Sequence, residues 1–426
     1  MINTSKTQHF RKSLAFLFVV YWTALVIWQN FGGTAARTNI DVVIKIALLL
    51  YFVFFYIQRY KKMSAKILVI FFLGVILLFT AIETETFSLS MVISYVYPIL
   101  FLAMVYGVGN SFVITKKHFL VFCNWIIGVT LYAALYAMIF CWDQFTGALS
   151  LSSAYGNELC SFFVSNHEYG LYLLSAIVSC FLCLRFTHAI SLKRRIYYIV
   201  ALGIFFINLV LTFSRTTMLS LAVFIAIFVL FGKGSLKKCF IFLTIVGAVV
   251  VFITPQLSNF VFSIVLKGNT TAGRDVLYNA AFDYYTNGTI FEKIFGFGIS
   301  NTRNFFENTY AHASVHNAYL QILLYYGAFG LTAMVLFLFS QFIACIKFIK
   351  KDRYLGTVFL GLVISASSMM ITNTTIVFTS PIDSYFMTMF MFVVPKYVRN
   401  AVHKGVFVES VDIENKESVW GECRLP

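Results

Sequence analysis

Apolar runs of about 18 residues or more recur along the whole chain, and each is long enough to cross a hydrocarbon core of about 30 Å as a helix. Twelve such runs are expected as spans: 14–31, 40–57, 66–82, 88–106, 118–140, 167–186, 196–213, 216–231, 238–254, 317–346, 354–373 and 383–398. The first follows Lys6, Arg11 and Lys12 as a secretory signal would, with a loose cleavage-like Thr34-Ala35-Ala36 behind it. It is longer than the usual apolar core of a signal, so it reads as a retained span. Composition agrees: of 426 residues, 60% are hydrophobic and only 12% charged, where a soluble domain keeps about 25%. The expected fold class is all-α, a single integral membrane domain over 1–426 with a long loop at 255–316 and a tail at 399–426.

The net charge of +15 suggests a nucleic-acid partner only if the basic residues are pooled. Divided by loop, 25 of the 32 fall on one side: in the N-terminus, at 59–66, 116–117, 185–195, 233–238 and 347–353, and in the tail. The other seven, Arg37, Lys45, Arg215, Lys267, Arg274, Lys293 and Arg303, fall opposite. Repeated at every second loop, this is the positive-inside pattern, with both termini cytoplasmic and the long loop outside. An omitted or invented span would reverse the pattern after the error, and no reversal occurs. The eight cysteines make no framework: Cys180 and Cys183 stand inside a span where packing explains them, while Cys141 and Cys160 could both face outward.

The outer side carries the chemistry. Glu83 and Glu85 resemble a metal pair but suit a solvated turn, and Pro98 lies where it could kink the fourth span. Asn166-His167-Glu168 opens the sixth span, where Asn166 could cap the helix and Glu168 could complement its dipole, or His167 or Glu168 could act directly. Arg215 stands in the tight turn Ser214-Arg215-Thr216-Thr217. A fixed guanidinium at that level is a natural receptor for phosphate, beside the alternative of snorkelling to head groups. In the long loop, Leu277, Ala280, Ala281, Tyr284 and Tyr285 recur at helical spacing, so a short amphipathic helix lying on the membrane is expected from Arg274 to about Thr286. Arg274 opposes the dipole at the N-terminus of that helix, where the free N–H groups bind anions. Phe295-Gly296-Phe297-Gly298 lets backbone approach something closely, and Arg303 and His312 follow. His316-Asn317 leads into the tenth span, either as its cap or with His316 accepting a proton from an attacking hydroxyl or donating a hydrogen bond to a phosphate oxygen. Asp383, after Thr379-Ser380-Pro381, is a cap or a carboxylate that orients or deprotonates an acceptor.

Ser214-Arg215-Thr216 between two spans, then Gly273-Arg274, Phe295-Gly296-Phe297-Gly298, His316-Asn317-Ala318-Tyr319-Leu320 and Tyr326-Gly327-Ala328-Phe329-Gly330, resemble the bacterial O-antigen polymerase and O-antigen ligase superfamily. The match covers about residues 205 to 330, and the first half agrees in hydropathy alone. The resemblance implies a GT-C-like architecture and metal-independent, cofactor-free glycosyl transfer at the outer face of the bacterial cytoplasmic membrane. The implied donor is a glycan on undecaprenyl diphosphate. Its functional arginines carry over onto Arg215 and Arg274 and its loop histidine onto His316; His167, Glu168 and Asp383 have no established equivalent. Implied partners are the lipid-linked glycan, the bilayer, and a flippase and chain-length regulator of the same pathway, with no nucleic acid.

Two arginines aimed at a diphosphate leaving group suit that chemistry, with His316 as first choice of base and Glu168 or Asp383 in reserve. A polymerase of repeat units is the preferred reading. A ligase passing the finished glycan to a lipid A core, and a flippase or transporter of lipid-linked sugars, stay open. Transporters usually show internal repeats or ionisable groups at the midplane, and neither is evident.

Overall fold

The computed structural model describes residues 115–149, 158–163, 165–186, 192–233, 237–238, 241, 274–311, 314–373, 389–405 and 407. The first four expected spans, nearly all of the ninth, loop residues 255–273, and Arg37, Glu83, Glu85, Pro98, His312 and Asp383 lie outside them. Among the described residues the fold is helical, without a strand. The helices are α1 (Lys116–Ile139), α2 (Trp142–Leu149), α3 (Asn166–Phe186), α4 (Leu192–Leu211), α5 (Arg215–Phe231), α6 (Arg274–Asn287), α7 (Ile290–Phe295), α8 (Ile299–Tyr310), α9 (Ala318–Ile349), α10 (Arg353–Met369) and α11 (Val394–His403), the last entered through a π turn at Met389–Val393.

Each of the six expected spans from 118–140 to 216–231 and from 317–346 to 354–373 that falls within the described residues is met by a helix within a few residues of its bounds. Four of these, α1, α3, α4 and α9, are long and apolar enough to cross a membrane. The most apolar window of α3 is 83% buried while that of α9 is only 22% buried, so α3 is the axis of the bundle and α9 its flank. Around α3 pack α1, α4 and α5; α10 lies between α5 and α9. One continuous core runs through these helices, with Tyr169, Tyr172, Phe205, Phe224 and Phe359 fully inside. Cys180 and Cys183 are buried free thiols within it, as packing requires.

The bundle has two chemically distinct ends. At one, Arg353 Nε donates to Phe231 O (2.8 Å), the Lys116 ammonium lies 5.0 Å from the Phe186 ring, and Arg185 stands 5.5 Å from the ring of Tyr354. Phe231, Phe186 and Ile349 end their helices here, so the cations sit at the negative ends of the dipoles. The terminal helix α11 closes the same end: the buried Arg399 donates to Gln341 Oε1 (3.1 Å) and Cys345 Sγ (3.3 Å) on α9. The opposite end gathers Asn166, Ser214, Ala318 and Met370, and there the long loop docks.

That loop forms a layer of its own. Leu277, Ala280 and Ala281 of α6 pack with Phe297, Phe306, Val315 and Leu324 in a second, smaller core. Tyr284 stacks at 4.2 Å on Phe305 and lies 4.4 Å from Phe297. The expected helix from Arg274 therefore exists, but its apolar stripe faces this core and not the membrane. Arg303 pairs with Glu307 (2.6 Å) on the exposed side of α8, a solvated i,i+4 ion pair.

The glycine motifs of the loop and of α9 turn out to be two halves of one joint. Gly327 adopts φ 66° and ψ −170°, a conformation open essentially to glycine alone, and breaks α9 into a short arm and a long span. A Cβ there would lie 2.2 Å from Ile294 O, and a Cβ on Gly296 (φ 99°) would lie 2.3 Å from Tyr325 O. The break leaves Leu324 C=O without its helical partner, and Phe297 N–H bonds it at 2.7 Å. What approaches Phe-Gly-Phe-Gly so closely is thus the broken helix of the same chain.

Candidate functional site

Four helix N-termini meet at the loop-facing end of the bundle: α3 at Asn166, α5 at Arg215, α6 at Arg274 and α9 at Ala318. Each leaves N–H groups without intrahelical partners and carries about half a positive charge. The contacts that hold them together can be followed residue by residue.

Between α3 and α5 the approach is set by Gly170, where any Cβ would lie 2.6 Å from Thr217 Oγ1. That closeness brings His167 Nδ1 to 2.8 Å from Ser214 Oγ and lets Asn166 Nδ2 donate to Thr212 O (3.0 Å). Asn166 is therefore not the cap of α3; the Ser165 hydroxyl accepts from Glu168 N (3.2 Å) instead. Ser214 caps α5 by accepting from Thr217 N (3.4 Å) and lies 2.9 Å from Thr217 Oγ1. A hydroxyl has one proton, so Ser214 can donate to His167 or to Thr217 but not to both. The choice of tautomer at His167 is thereby coupled to the cap of the Arg215 helix.

Arg215 is the first residue of α5, half-buried, with its Nη2 fully shielded from solvent. Its neighbour Thr216 accepts from Thr372 Oγ1 (2.8 Å), beyond the C-terminus of α10. Met370 O accepts from Ala318 N (2.8 Å), and Tyr319 OH donates to Ser367 O (3.0 Å), so α9 begins against the same turn.

His316 precedes the cap of α9 and holds φ at 53°, a left-handed conformation rare for a residue with a β-carbon. Phe213 does the same (φ 49°) immediately before Ser214. Strain of this kind persists only where the surroundings over-determine it. Here Asn317 Oδ1 accepts from Tyr319 N and Leu320 N, and Gln321 Oε1 accepts from Val315 N (3.0 Å). Asn317, not His316, is the cap.

Arg274 opens α6 and is half-buried. One turn later Tyr278 donates from its hydroxyl to Ile371 O (3.2 Å) and approaches His316 O (3.5 Å). Tyr278 thus ties the Arg274 helix to the His316 turn and to the α10 terminus next to Thr372. The sequence reading passed over Tyr278, although its i+4 spacing from Arg274 puts both on one helix face. Thr372 was passed over as well; nothing in its local pattern marks it.

The elements carrying Arg215, Arg274, His316, His167 and Glu168 are consequently neighbours at one end of the bundle, opposite the basic end. Glu168 is buried at 6% exposure in the first turn of α3; burial, then Glu158 and Cys141, and last the charge of Glu168 push the Cys160 thiol up to about 11. Cys141 and Cys160 are free thiols in the structure. Asp383 falls outside the described residues.

A comparison with curated proteins finds no match. Residues 199–338 match the family model described as O-Antigen ligase. That segment runs from α4 through the long loop into α9 and contains Arg215, Arg274 and His316. The match agrees with the O-antigen polymerase and ligase superfamily resembled by the motifs, whose members transfer glycans.

Proposed function

We propose that the protein is a polysaccharide polymerase that joins undecaprenyl-diphosphate-linked repeat units at the outer face of the bacterial cytoplasmic membrane. The observation that carries the reading is the convergence of the Arg215, Arg274 and His316 elements at one end of an apolar bundle, most of whose other lysines and arginines, among the described residues, collect at the far end. In a membrane the basic end faces the cytoplasm, so the converged end faces outward.

In the proposed step an acceptor hydroxyl oxygen attacks the anomeric carbon of the donor sugar. The bond from that carbon to the diphosphate oxygen breaks, and the hydroxyl proton passes to His316. The lipid diphosphate leaves with the bonding electrons, its growing charge held by Arg215, Arg274 and the helix N-termini. No metal is required. Glu168 and Asp383 are the reserve candidates for that base, and His167 is a further candidate on the acceptor side.

A ligase that hands a finished glycan to a lipid A core or another acceptor uses the same step with a different acceptor, and the matching family model, described as O-Antigen ligase, is consistent with either. The test is the lipid-linked glycan of cells lacking the protein, sized on a gel and assigned to a leaflet. Single repeats on the outer leaflet or on the final acceptor support the polymerase. Long unattached lipid-linked chains support the ligase, and repeats confined to the inner leaflet refute both in favour of a flippase. Arg215→Ala and Arg274→Ala should each insert normally and yield no product; near-normal glycan in both would remove the arginines from the mechanism.

A further inference from the structure

The loop carries an apolar surface that its own core does not use. Helix α7 (Ile290–Phe295) has no buried residue, and Ile290, Phe291 and Ile294 are 78%, 43% and 43% exposed. Thr289 and Glu292 are turned to local use in a reciprocal capping box, with Thr289 N donating to Glu292 Oε2 at 2.7 Å. An amphipathic turn with its apolar side uncovered needs an occupant.

The height of α7 along the bundle identifies that occupant. Its C-terminus abuts Gly327, where Ile294 and Phe295 meet the break in α9. From Gly327 down to Lys347, the first cation at the basic end, is a helical run that at about 1.5 Å per residue measures about 30 Å, the thickness of a hydrocarbon core. The break therefore lies at the outer boundary of the core, and α7 lies at the same level. Along α9 below it, Ala328, Thr332, Val335, Leu336 and Phe339 form one exposed stripe at helical spacing. Phe291 packs on Phe295 (5.0 Å) and Phe295 on Phe329 (6.3 Å), so the uncovered face of α7 continues into the face of the span.

We infer that α7 is an interfacial anchor. Ile290, Phe291 and Ile294 enter the outer leaflet at the boundary between head groups and acyl chains, and the anchor sets the height of the Arg274 helix above the bilayer. The partner is the lipid surface itself. The Asn287-Gly288 turn joins anchor to α6 directly, so a lipid-linked diphosphate at the same boundary and the first residues of α6 are held at related depths. The inference does not depend on which glycan is transferred.

The test places a photo-cross-linker in the full-length protein, as Phe291→p-benzoylphenylalanine and, at the most exposed position, Ile290→p-benzoylphenylalanine. Each variant is reconstituted in vesicles of phosphatidylethanolamine and phosphatidylglycerol, with Asn304→p-benzoylphenylalanine on the exposed side of α8 as the control. Irradiation should give phospholipid adducts at 290 and 291 and none at 304, read by mass spectrometry of the peptides. Lipid adduct no greater at 290 and 291 than at 304 overturns the inference. So does a dominant protein adduct at both positions when the same variants are irradiated in native membranes, which would make the surface a protein interface.

Discussion

Replacing Gly327 by alanine tests the joint on which the site depends. The new Cβ would lie 2.2 Å from Ile294 O, 2.3 Å from Ile294 C and 2.5 Å from Phe295 N, all backbone atoms that no rotamer change can clear. The conformation itself costs an alanine about 1–3 kcal/mol, and opening the joint forfeits the Phe297 N–H to Leu324 O bond, about 0.5–1.5 kcal/mol. Together these weaken docking of the α7 turn on α9 by about 1.5–4.5 kcal/mol, or roughly 10- to 2,000-fold in its equilibrium. Gly296→Ala should do the same, because its Cβ would lie 2.3 Å from Tyr325 O across the same contact. Once either substitution has opened the joint the other has little left to disturb, so the double variant should be far less damaged than the sum of the singles. Gly128→Ala and Gly203→Ala, where nothing lies within 4 Å, are the controls and should be neutral or slightly stabilising. Hydrogen exchange of 288–298 in detergent, with glycan output beside it, reads the effect. Native protection in Gly327→Ala, or strict additivity of the pair, would refute the reasoning.

Tyr278→Phe removes the hydroxyl that links the Arg274 helix to Ile371 and His316, and at about 1 kcal/mol it should lower product formation roughly fivefold with normal insertion; unchanged output would show that Tyr278 positions nothing. Arg215→Lys keeps the charge and loses the two-pronged donor, so it should be close to Arg215→Ala if a phosphate is gripped bidentately, and close to the parent protein if a point charge suffices. Cys160, with its thiol raised from 9.0 to about 11 chiefly by burial and then by Glu158, Cys141 and Glu168, should hold roughly 100-fold less thiolate than an ordinary cysteine below pH 9. Its alkylation by iodoacetamide at pH 8 should be slower than that of a free thiol by a similar factor, and an ordinary rate would refute the burial.

The spans from Lys116 to Phe231 and from Ala318 to Met369 were legible because a membrane leaves helix as the answer to an apolar run, and only the ends needed adjustment. The opposition between a basic end and a polar end was equally legible, since it is written in the loop charges. What the sequence hid was tertiary. The periodicity of Leu277, Ala280 and Ala281 announces a buried face without naming what buries it; a membrane and a second core make the same stripe. Phe-Gly-x-Gly announces a close approach without its partner, because Gly327 lies about thirty residues downstream inside what hydropathy reads as one uninterrupted span. For the site, Arg215, Arg274 and His316 stood out as polar residues at span boundaries. Tyr278 and Thr372 did not, since one resembles any interfacial aromatic and the other any threonine at a helix end.

Helix polarity ties these observations together. Because α3, α5, α6 and α9 all begin at the site, Arg185 and Lys347 sit in the last turns of their helices at the far end, whereas Arg215 and Arg274, like Lys116 and Arg353 at the far end, are the first residues of their helices and stand against the dipoles. Each such placement costs about 0.3–1 kcal/mol where screening is weak. On the proposed function, a diphosphate held between Arg215 and Arg274 would reverse the sign of both terms. The consequence is measurable without any glycan. Pyrophosphate should raise the Tm of the detergent-solubilised protein above the shift given by sodium chloride at equal ionic strength, by an amount that grows with the logarithm of concentration once the site is filled. In Arg274→Ala and Arg215→Ala that excess should vanish, and in Arg274→Ala the baseline Tm should stay equal to or above the parent's, because removing a cation from a helix N-terminus relieves the opposition. A lower baseline in both variants, with the pyrophosphate increment intact, would mean that the arginines hold the fold together and that the anion binds elsewhere.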